Sequence, residues 1–318
     1  MTTIKDVAKK VGMSISTVSY ALNDRPNVHP DTKAKILLAA KEMNYHPNGN
    51  ARNLKKQKTG NIGVFVYGFA GPIFSDVLDG IHQKLQEHNL NIIVSSGNSS
   101  TNLLLQRQVD AAIVFDDHLK DEDLINYAKS GSPVCVLDRY LDGENVYASV
   151  IDNERLVYRF IQDQIAKGYR DFAYLSGPEV AFNNIHRFLG FQQAMEEHNL
   201  SFEVFTGDFT VHSGHKWGEV LAQRKERPRF VFCANDESAV GLIQALTANG
   251  VRVPEDIAIA GFDNIALGNF THPALTTIGI DHFKWGKDVA ESVIKTLNQE
   301  PTPQTIHPSG HVIVRQSC

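Results

Sequence analysis

The sequence predicts an α/β protein: an N-terminal helix-turn-helix head, a short connector, and a body of two doubly wound parallel-sheet lobes. Three observations predict it. Two short amphipathic helical stretches joined through Gly12 open the chain. Residues 1–59 hold 11 Lys and Arg against 4 Asp and Glu, a balance of +7, so the remainder carries −12 of the chain's net −5. From Asn61 to Cys318 apolar strand-like runs alternate with amphipathic segments, more chain than one open sheet holds comfortably.

In the head, Ile4, Val7, Ala8 and Val11 line one face of a first helix, which Gly12 can end in the left-handed region. Ser14 is placed to cap a second helix, Ile15 to Leu22. There Val18, Ala21 and Leu22 fall at inward spacing and leave Ile15, Ser16, Ser19 and Tyr20 outward. A second helix after a Gly-containing turn is the element that enters a DNA major groove in such motifs. A third helix is expected over Pro30–Met43, with Pro30 at its first position and Ile36, Leu37, Ala40 and Met43 closing the small core. Tyr45-His46-Pro47 breaks it. A basic head on an acidic body fits nucleic-acid binding, since neutralised phosphates release counterions.

The connector, Asn48 to Lys56, has nine residues, fewer than the ~12–15 an isolated helix needs in water. Gly49 costs it ~1 kcal/mol relative to Ala, with Asn50 and Asn53 adding smaller penalties. Alone, this segment is expected to be mostly unfolded.

In the body, strands are expected at Ile62–Tyr67, Asn91–Ser95, Val109–Phe115, Pro133–Asp138, Phe172–Ser176, Phe230–Ala234 and Ile257–Gly261. Helical segments between them include Ile73–His88, Glu154–Lys167, Phe188–His198 and Ala239–Asn249. That alternation predicts parallel sheets covered on both faces, with ligands at the carboxyl ends of the strands. Asp138, Asn235 and Asp263 stand at such ends. Hydrophobic residues at 42% and charged residues at 21% describe a globular chain with ample core. No run approaches the ~18 apolar residues of a membrane span, and no secretory signal follows Lys5, Lys9 and Lys10, so a cytoplasmic location is expected. Cys135, Cys233 and Cys318 lack metal spacing and read as free thiols. No Gly-rich phosphate loop, GxSxG or HExxH occurs. Neither enzyme, metal site nor cofactor is expected.

Thr3-Ile4-Lys5-Asp6-Val7-Ala8, Ser16-Thr17-Val18-Ser19, Asn44-Tyr45-His46-Pro47-Asn48 and Ala51-Arg52-Asn53-Leu54 together resemble the lactose-repressor/galactose-repressor family of bacterial transcription regulators. The resemblance runs through the whole chain. It implies a DNA-binding domain over 1–47, a hinge helix or linker over 48–60, and a ligand-binding and dimerisation domain over 61–318. That body resembles periplasmic sugar-binding proteins. Its first lobe would be about 61–149 and 280–306, its second about 150–279 and 307–318, with crossings near Val150, Gly279 and His307 and a final strand at Val312–Val314. Two departures stand out. His29 occupies a cap position where most relatives have Ser or Thr, and the segment between Ser95 and Val109 is about ten residues shorter, leaving room for only a turn or two of helix.

The resemblance also assigns roles. Ile15, Ser16 and Tyr20 would meet base edges, while Thr3, Ser14, Thr17 and Tyr45 would hold phosphates, which position without specifying. Asn23, Arg52 and Lys55 join the DNA-facing set. Leu54 would wedge between base pairs when two connectors pair over the minor groove. Tyr20 replaces the Arg or His of many relatives, which predicts a half-site without the usual guanine contact. Phe74, Asp138, Arg187, Phe209, Asn235 and Asp263 match ligand positions, and their carboxylates, amide, guanidinium fork and aromatic faces suit a sugar. Ile73, Ala181 and Asn183 differ from the purine-binding branch. The expected partners are therefore double-stranded operator DNA, a small sugar effector and a second copy of the chain, with no membrane. Two rivals remain: a global carbon regulator activated by a phosphorylated carrier protein, and a sugar-binding transport protein.

Overall fold

The computed structural model describes residues 2–46, 58–69, 71–116 and 118–318. The chain divides into two compact units, Met1–Thr59 and Gly60–Cys318.

Among its described residues the head holds three helices, α1 (Ile4–Val11), α2 (Ile15–Leu22) and α3 (Pro30–Glu42). Gly12 ends α1 at φ 70°, as its position between two helical patterns required. Ser14 caps α2 by accepting from the Thr17 N–H at 3.1 Å. Pro30 opens α3, and His29 before it makes no side-chain cap bond. Val7, Ala8, Val11, Val18, Ala21, Ile36, Ala39 and Ala40 form the core. One expected core residue is displaced. Leu37 is 44% exposed, because α3 turns Ile36, Ala39 and Ala40 inward and leaves Leu37 and Leu38 outside. The small alanines let α3 lie close on its neighbours, so packing distance overrode side-chain size. Asn48–Lys56, with Arg52, Leu54 and Lys55, lies outside the described residues.

The body contains two six-stranded sheets. The first has β1 (Asn61–Val66), β2 (Asn91–Ser95), β3 (Ala111–Phe115), β4 (Val134–Leu137), β5 (Val146–Ser149) and β11 (Thr305–Ile306), in the order β11-β5-β4-β3-β1-β2. The second has β6 (Phe172–Leu175), β7 (Phe202–Phe205), β8 (Phe230–Cys233), β9 (Ala258–Asp263), β10 (Thr276–Ile280) and β12 (Gly310–Ile313), in the order β12-β10-β9-β8-β6-β7. Pairing is parallel throughout except for β12, which runs antiparallel to β10 with Ile280 opposite Gly310. The strands are nearly all apolar because helices cover both faces.

Helices α4 (Pro72–Glu87), α5 (Asn98–Leu105) and α6 (Asp121–Lys129) belong to the first lobe. The second lobe carries α7 (Asn153–Ala166), α8 (Phe182–Glu197), α9 (Val211–Gln223) and α10 (Asp236–Ala248). The last helix, α11 (His282–Leu297), returns to pack on α4. The short segment after β2 makes the eight-residue α5. The chain passes between the sheets after β5, after β10 and after β11, and these crossings are laced together. Val150 N–H donates to the Ile306 carbonyl at 3.0 Å, and His307 Nδ1 lies 2.9 Å from the Val150 carbonyl. Buried Trp285 donates its indole N–H to Ser149 Oγ at 2.7 Å.

Helix pairs approach closely through glycine notches. A methyl group on Gly286 would stand 2.2 Å from the Val77 carbonyl oxygen of α4, and one on Gly80 would stand 2.1 Å from that of Phe283 in α11. Backbone at that distance cannot move aside cheaply. Gly286→Ala is expected to destabilise the body by about 1–3 kcal/mol and to lower Tm by several degrees in calorimetry. Gly68→Ala, whose methyl meets nothing within 4 Å, serves as the neutral control.

Candidate functional site

The outward face of α2 carries the residues expected to meet DNA. Ile15 and Tyr20 are 45% and 47% exposed, with Ser16 exposed between them. Ser14 and Thr17 share a hydroxyl hydrogen bond at 2.8 Å while Ser14 caps the helix, so cap and face use the same two side chains. Thr3 donates both its N–H, at 2.9 Å, and its hydroxyl, at 2.7 Å, to Asp6 Oδ2, which holds the Asp6 carboxyl below its ordinary range. Asn23 donates to the Ser19 carbonyl at 2.7 Å and finishes α2, and Tyr45 packs half-buried on the head core. Thr3, Ser14 and Asn23 thus support helix ends as well as offering polar groups outward.

The second site lies at the carboxyl ends of both sheets. Asp138 follows β4, Phe209 follows β7, Asn235 follows β8, and Asp263 ends β9. Phe74 sits in the first turn of α4 and Arg187 in α8. Three of these six residues hold positive φ without being glycine: Asp138 at 56°, Phe209 at 68° and Asp263 at 112°. Such backbone is costly and persists where surrounding structure enforces it, often at binding sites. Gly177 makes room for the Phe209 ring, since a methyl there would meet ring carbons at 2.2 Å.

Arg187 is the centre. It is 3% exposed, and each side of its guanidinium is engaged. Nε donates to Asn153 Oδ1 at 2.9 Å, Nη1 to the Ala234 carbonyl at 2.6 Å, and Nη2 to Asp263 Oδ1 at 3.1 Å. The Phe262 ring lies beneath it, 3.7 Å from guanidinium carbon to centroid. Burial pushes Asp263 above the ordinary carboxylate range, opposed by the charge of Arg187. From Arg187 the hydrogen bonds continue across the lobes. Asn153 Nδ2 donates to Asn183 Oδ1 at 2.8 Å, and Asn183 Nδ2 donates to Asp138 Oδ2 at 2.8 Å. Asp138 belongs to the first lobe and Asn183 to α8 of the second. Burial pushes Asp138 up to about 6, the nearby Asp263 charge adding to it while Asn183 and Arg187 pull the other way.

The remaining expected residues join this set. Asn235 caps α10 through Ser238 N–H at 3.1 Å and donates to the Phe209 carbonyl at 2.8 Å. Phe74 opens a chain of aromatic contacts: to Tyr67 at 5.0 Å and Phe115 at 4.9 Å between centroids, then Phe115 to Trp285 at 5.7 Å and Trp285 to His282 at 6.1 Å. His282 Nε2 returns to the Asp263 carbonyl at 3.1 Å. All six expected ligand residues therefore fall in one connected constellation. Sequence reasoning missed Asn153 and His282 and gave Asn183 no contact role. The available signal was the spacing of Asn183 and Arg187, four apart and so on one helical face. Among the described residues no cluster of His, Cys, Asp and Glu could hold a metal ion, and no helix is long and apolar enough to cross a membrane.

A basic three-helix head with a hydroxyl-rich outer helix, and a two-lobed body with a polar site where both sheets end, define a ligand-binding DNA-binding regulator. Residues 3–48 match the bacterial regulatory proteins of the lacI family, and residues 161–318 match the periplasmic binding protein-like domain. The chain is 31% identical over 328 residues to catabolite control protein A of Priestia megaterium, covering 99% of this chain and 98% of that one. It is 30% identical over 334 residues to the HTH-type transcriptional repressor PurR of Photorhabdus laumondii, covering 100% and 97%. The lac repressor dimer bound to operator and the anti-inducer ONPF superposes with a TM-score of 0.85 at 24% identity, covering 99% and 98%. A transcriptional regulator CelR–cellobiose complex gives 0.71 at 25% identity, covering 100% of each chain. The chain belongs to the lacI family of bacterial regulatory proteins and is a DNA-binding transcriptional regulator.

The Asp138 carboxyl has a measurable consequence. Its folded pKa of about 6 exceeds the ordinary 3.8, so the folded state holds the proton more tightly and loses stability as pH rises from about 4 to 6. Asp138→Asn removes that dependence. Its stability relative to the parent is expected to rise by roughly 1–3 kcal/mol between pH 4 and pH 7 in urea titrations. A constant difference across that range would contradict the assignment.

Proposed function

We propose that the protein is a cytoplasmic, homodimeric repressor of carbohydrate-utilisation genes whose operator affinity is set by a small sugar bound between its lobes. The observation that carries this reading is the run of hydrogen bonds from Asp263 through Arg187, Asn153 and Asn183 to Asp138. It couples the ligand positions of one lobe to those of the other. A polyhydroxylated ligand can exchange with the amide groups of that run, since hydroxyls both donate and accept. Among the described residues two of the five guanidinium N–H groups of Arg187 have no acceptor and are available to a ligand oxygen. Phe74 and Phe209 supply apolar faces of the kind a pyranose ring stacks on. A solved relative is a complex with cellobiose, which supports a sugar. Another relative is the transcriptional repressor PurR, but Ile73, Ala181 and Asn183 stand in this chain where the purine-binding branch has other residues.

In this mechanism Ile15, Ser16 and Tyr20 read base edges while Thr3, Ser14, Thr17, Asn23 and Tyr45 position the head on phosphates. Two heads read a pseudo-palindrome, and the paired connectors place Leu54 at the central step, flanked by Arg52 and Lys55. The lac repressor neighbour is a dimer on its operator, which supports this arrangement. Sugar binding breaks or reinforces the Asp138–Asn183 bond, changes the angle between lobes, and alters the spacing of the connectors. Coupling of ~1–3 kcal/mol, a 5–150-fold change in operator affinity, is the usual range for such linkage.

A thermal-shift screen of mono- and oligosaccharides is expected to find a ligand that raises Tm and changes affinity for an operator recovered by in vitro selection. Arg187→Lys keeps the charge near Asp263 but loses the fork, and Phe209→Ala removes the stacking face. Both are expected to abolish the shift. If every sugar leaves operator binding unchanged while a phosphorylated carrier protein strengthens it, the global carbon-regulator reading replaces this one. On the DNA side, Tyr20→Ala is expected to cost about 1–3 kcal/mol of specific binding with non-specific binding retained. Leu54→Ala is expected to reduce operator bending in a circular-permutation gel assay, and a variant that bends and binds like the parent removes the wedge.

A further inference from the structure

The interlobe site has an uneven stock of donors and acceptors. Its one strong cation, Arg187, is matched by Asp263 at 3.1 Å and further occupied by Asn153 and the Ala234 carbonyl. Two acceptors are left over. Asp138 Oδ2 accepts from Asn183, but its Oδ1 is buried with no hydrogen-bond partner among the described residues. His282 is 6% exposed, and its Nε2 faces the Asp263 carbonyl, so Nε2 carries the ring proton and donates. Burial disfavours a second proton, which leaves Nδ1 a lone-pair acceptor, also buried and without a partner. Half-buried Glu237, in the first turn of α10 beside Asn235, adds a third carboxyl, and burial together with the Asp263 charge pushes it upward.

We propose that this site selects its effector by charge, taking uncharged sugars and amino sugars and rejecting their phosphorylated and carboxylated forms. The proposal rests on the sugar reading above and adds a specificity to it. Asp138 Oδ1 and His282 Nδ1 each need a hydrogen, which a hydroxyl or an ammonium supplies and a phosphate or carboxylate oxygen cannot. A protonated amine also meets a carboxylate with no cation of its own. An anion in the same place faces the Asp138 carboxylate, with the Glu237 carboxyl adding to the negative field around Asp263. The charge of Arg187 is already matched by Asp263, even though its spare N–H groups still serve a neutral ligand. Like charges brought together in a poorly solvated site are disfavoured strongly enough to set specificity.

The test uses the full-length protein and matched ligand sets at pH 7.5. The sets are D-glucose, D-glucosamine, D-glucose 6-phosphate and D-glucuronate; the corresponding D-galactose series; D-ribose with D-ribose 5-phosphate; and cellobiose with cellobionic acid. Affinities come from calorimetry and thermal shift. Within any set that binds, the neutral or amino member is expected to bind at least about tenfold more tightly than the anionic member. Asp138→Asn is expected to shrink that ratio and to cancel any advantage of the amine. Glu237→Gln, which leaves the Asn183 bond intact, is expected to shrink it in part. An anionic member that matches or exceeds its neutral parent overturns the charge selection while leaving the sugar reading standing. Binding of no member of any set removes the sugar reading, and the selection falls with it.

Discussion

A guanidinium that is 3% exposed must find partners for its charge and its hydrogens, and the body of this protein is arranged around that requirement at Arg187. The four partners come from three places in the chain: Asn153 at the start of α7, the Ala234 carbonyl after β8, and the end of β9, which supplies both Asp263 and the Phe262 ring beneath. Each is held by regular structure. Residues far apart in sequence are drawn to one point because two parallel strand ends and the opening turns of two helices converge there. Removing the cation would leave a buried carboxylate uncompensated, so site and fold share one electrostatic condition.

The same condition extends to the first lobe. Asn153 and Asn183 are amides, able to donate on one side and accept on the other, and they relay the arginine's hydrogen bonding to Asp138. The amides themselves carry no charge, so opening the relay at Asn183 leaves only the Asp138 carboxylate in need of a new donor. The crossings beside it are stiffer. Val150, Ile306 and His307 are joined by backbone and ring hydrogen bonds, and Trp285 is pinned to Ser149. In the proposed mechanism the crossings give lobe movement its axis and the Asp138–Asn183 contact is the bond that breaks.

The head works under a different constraint. Its core is small, and alanines at positions 8, 21, 39 and 40 allow three short helices to approach closely. That economy leaves Leu37 and Leu38 outside and frees the outer face of α2 for Ile15, Ser16 and Tyr20. Ser14 and Thr17 serve both the cap and the face, which ties the shape of α2 to the groups it presents outward.

Local chemistry determined much of this in the linear chain. Gly12, Ser14 and Pro30 bound the head helices, and β-branched and aromatic runs marked β1 to β4, β6, β8 and β9, because these signals act over a few residues. Asp138, Arg187, Asn235 and Asp263, which the structure brings into one hydrogen-bonded set, had been singled out in the sequence, three of them as polar residues at strand ends and Arg187 through the family pattern. Tertiary structure alone decided the rest. Which face of α3 turned inward depended on how closely the neighbouring helices lay, so Leu37 lost its place to Ala39. Asn153, Asn183 and His282 acquired their roles only when folding brought Asn153 to Asn183, thirty residues away, Asn183 to Asp138, forty-five away, and His282 to Asp263, nineteen away, within hydrogen-bonding distance. Hydrogen bonding and charge pairing depend on separation in space, and no spacing along the chain records which strand ends will meet.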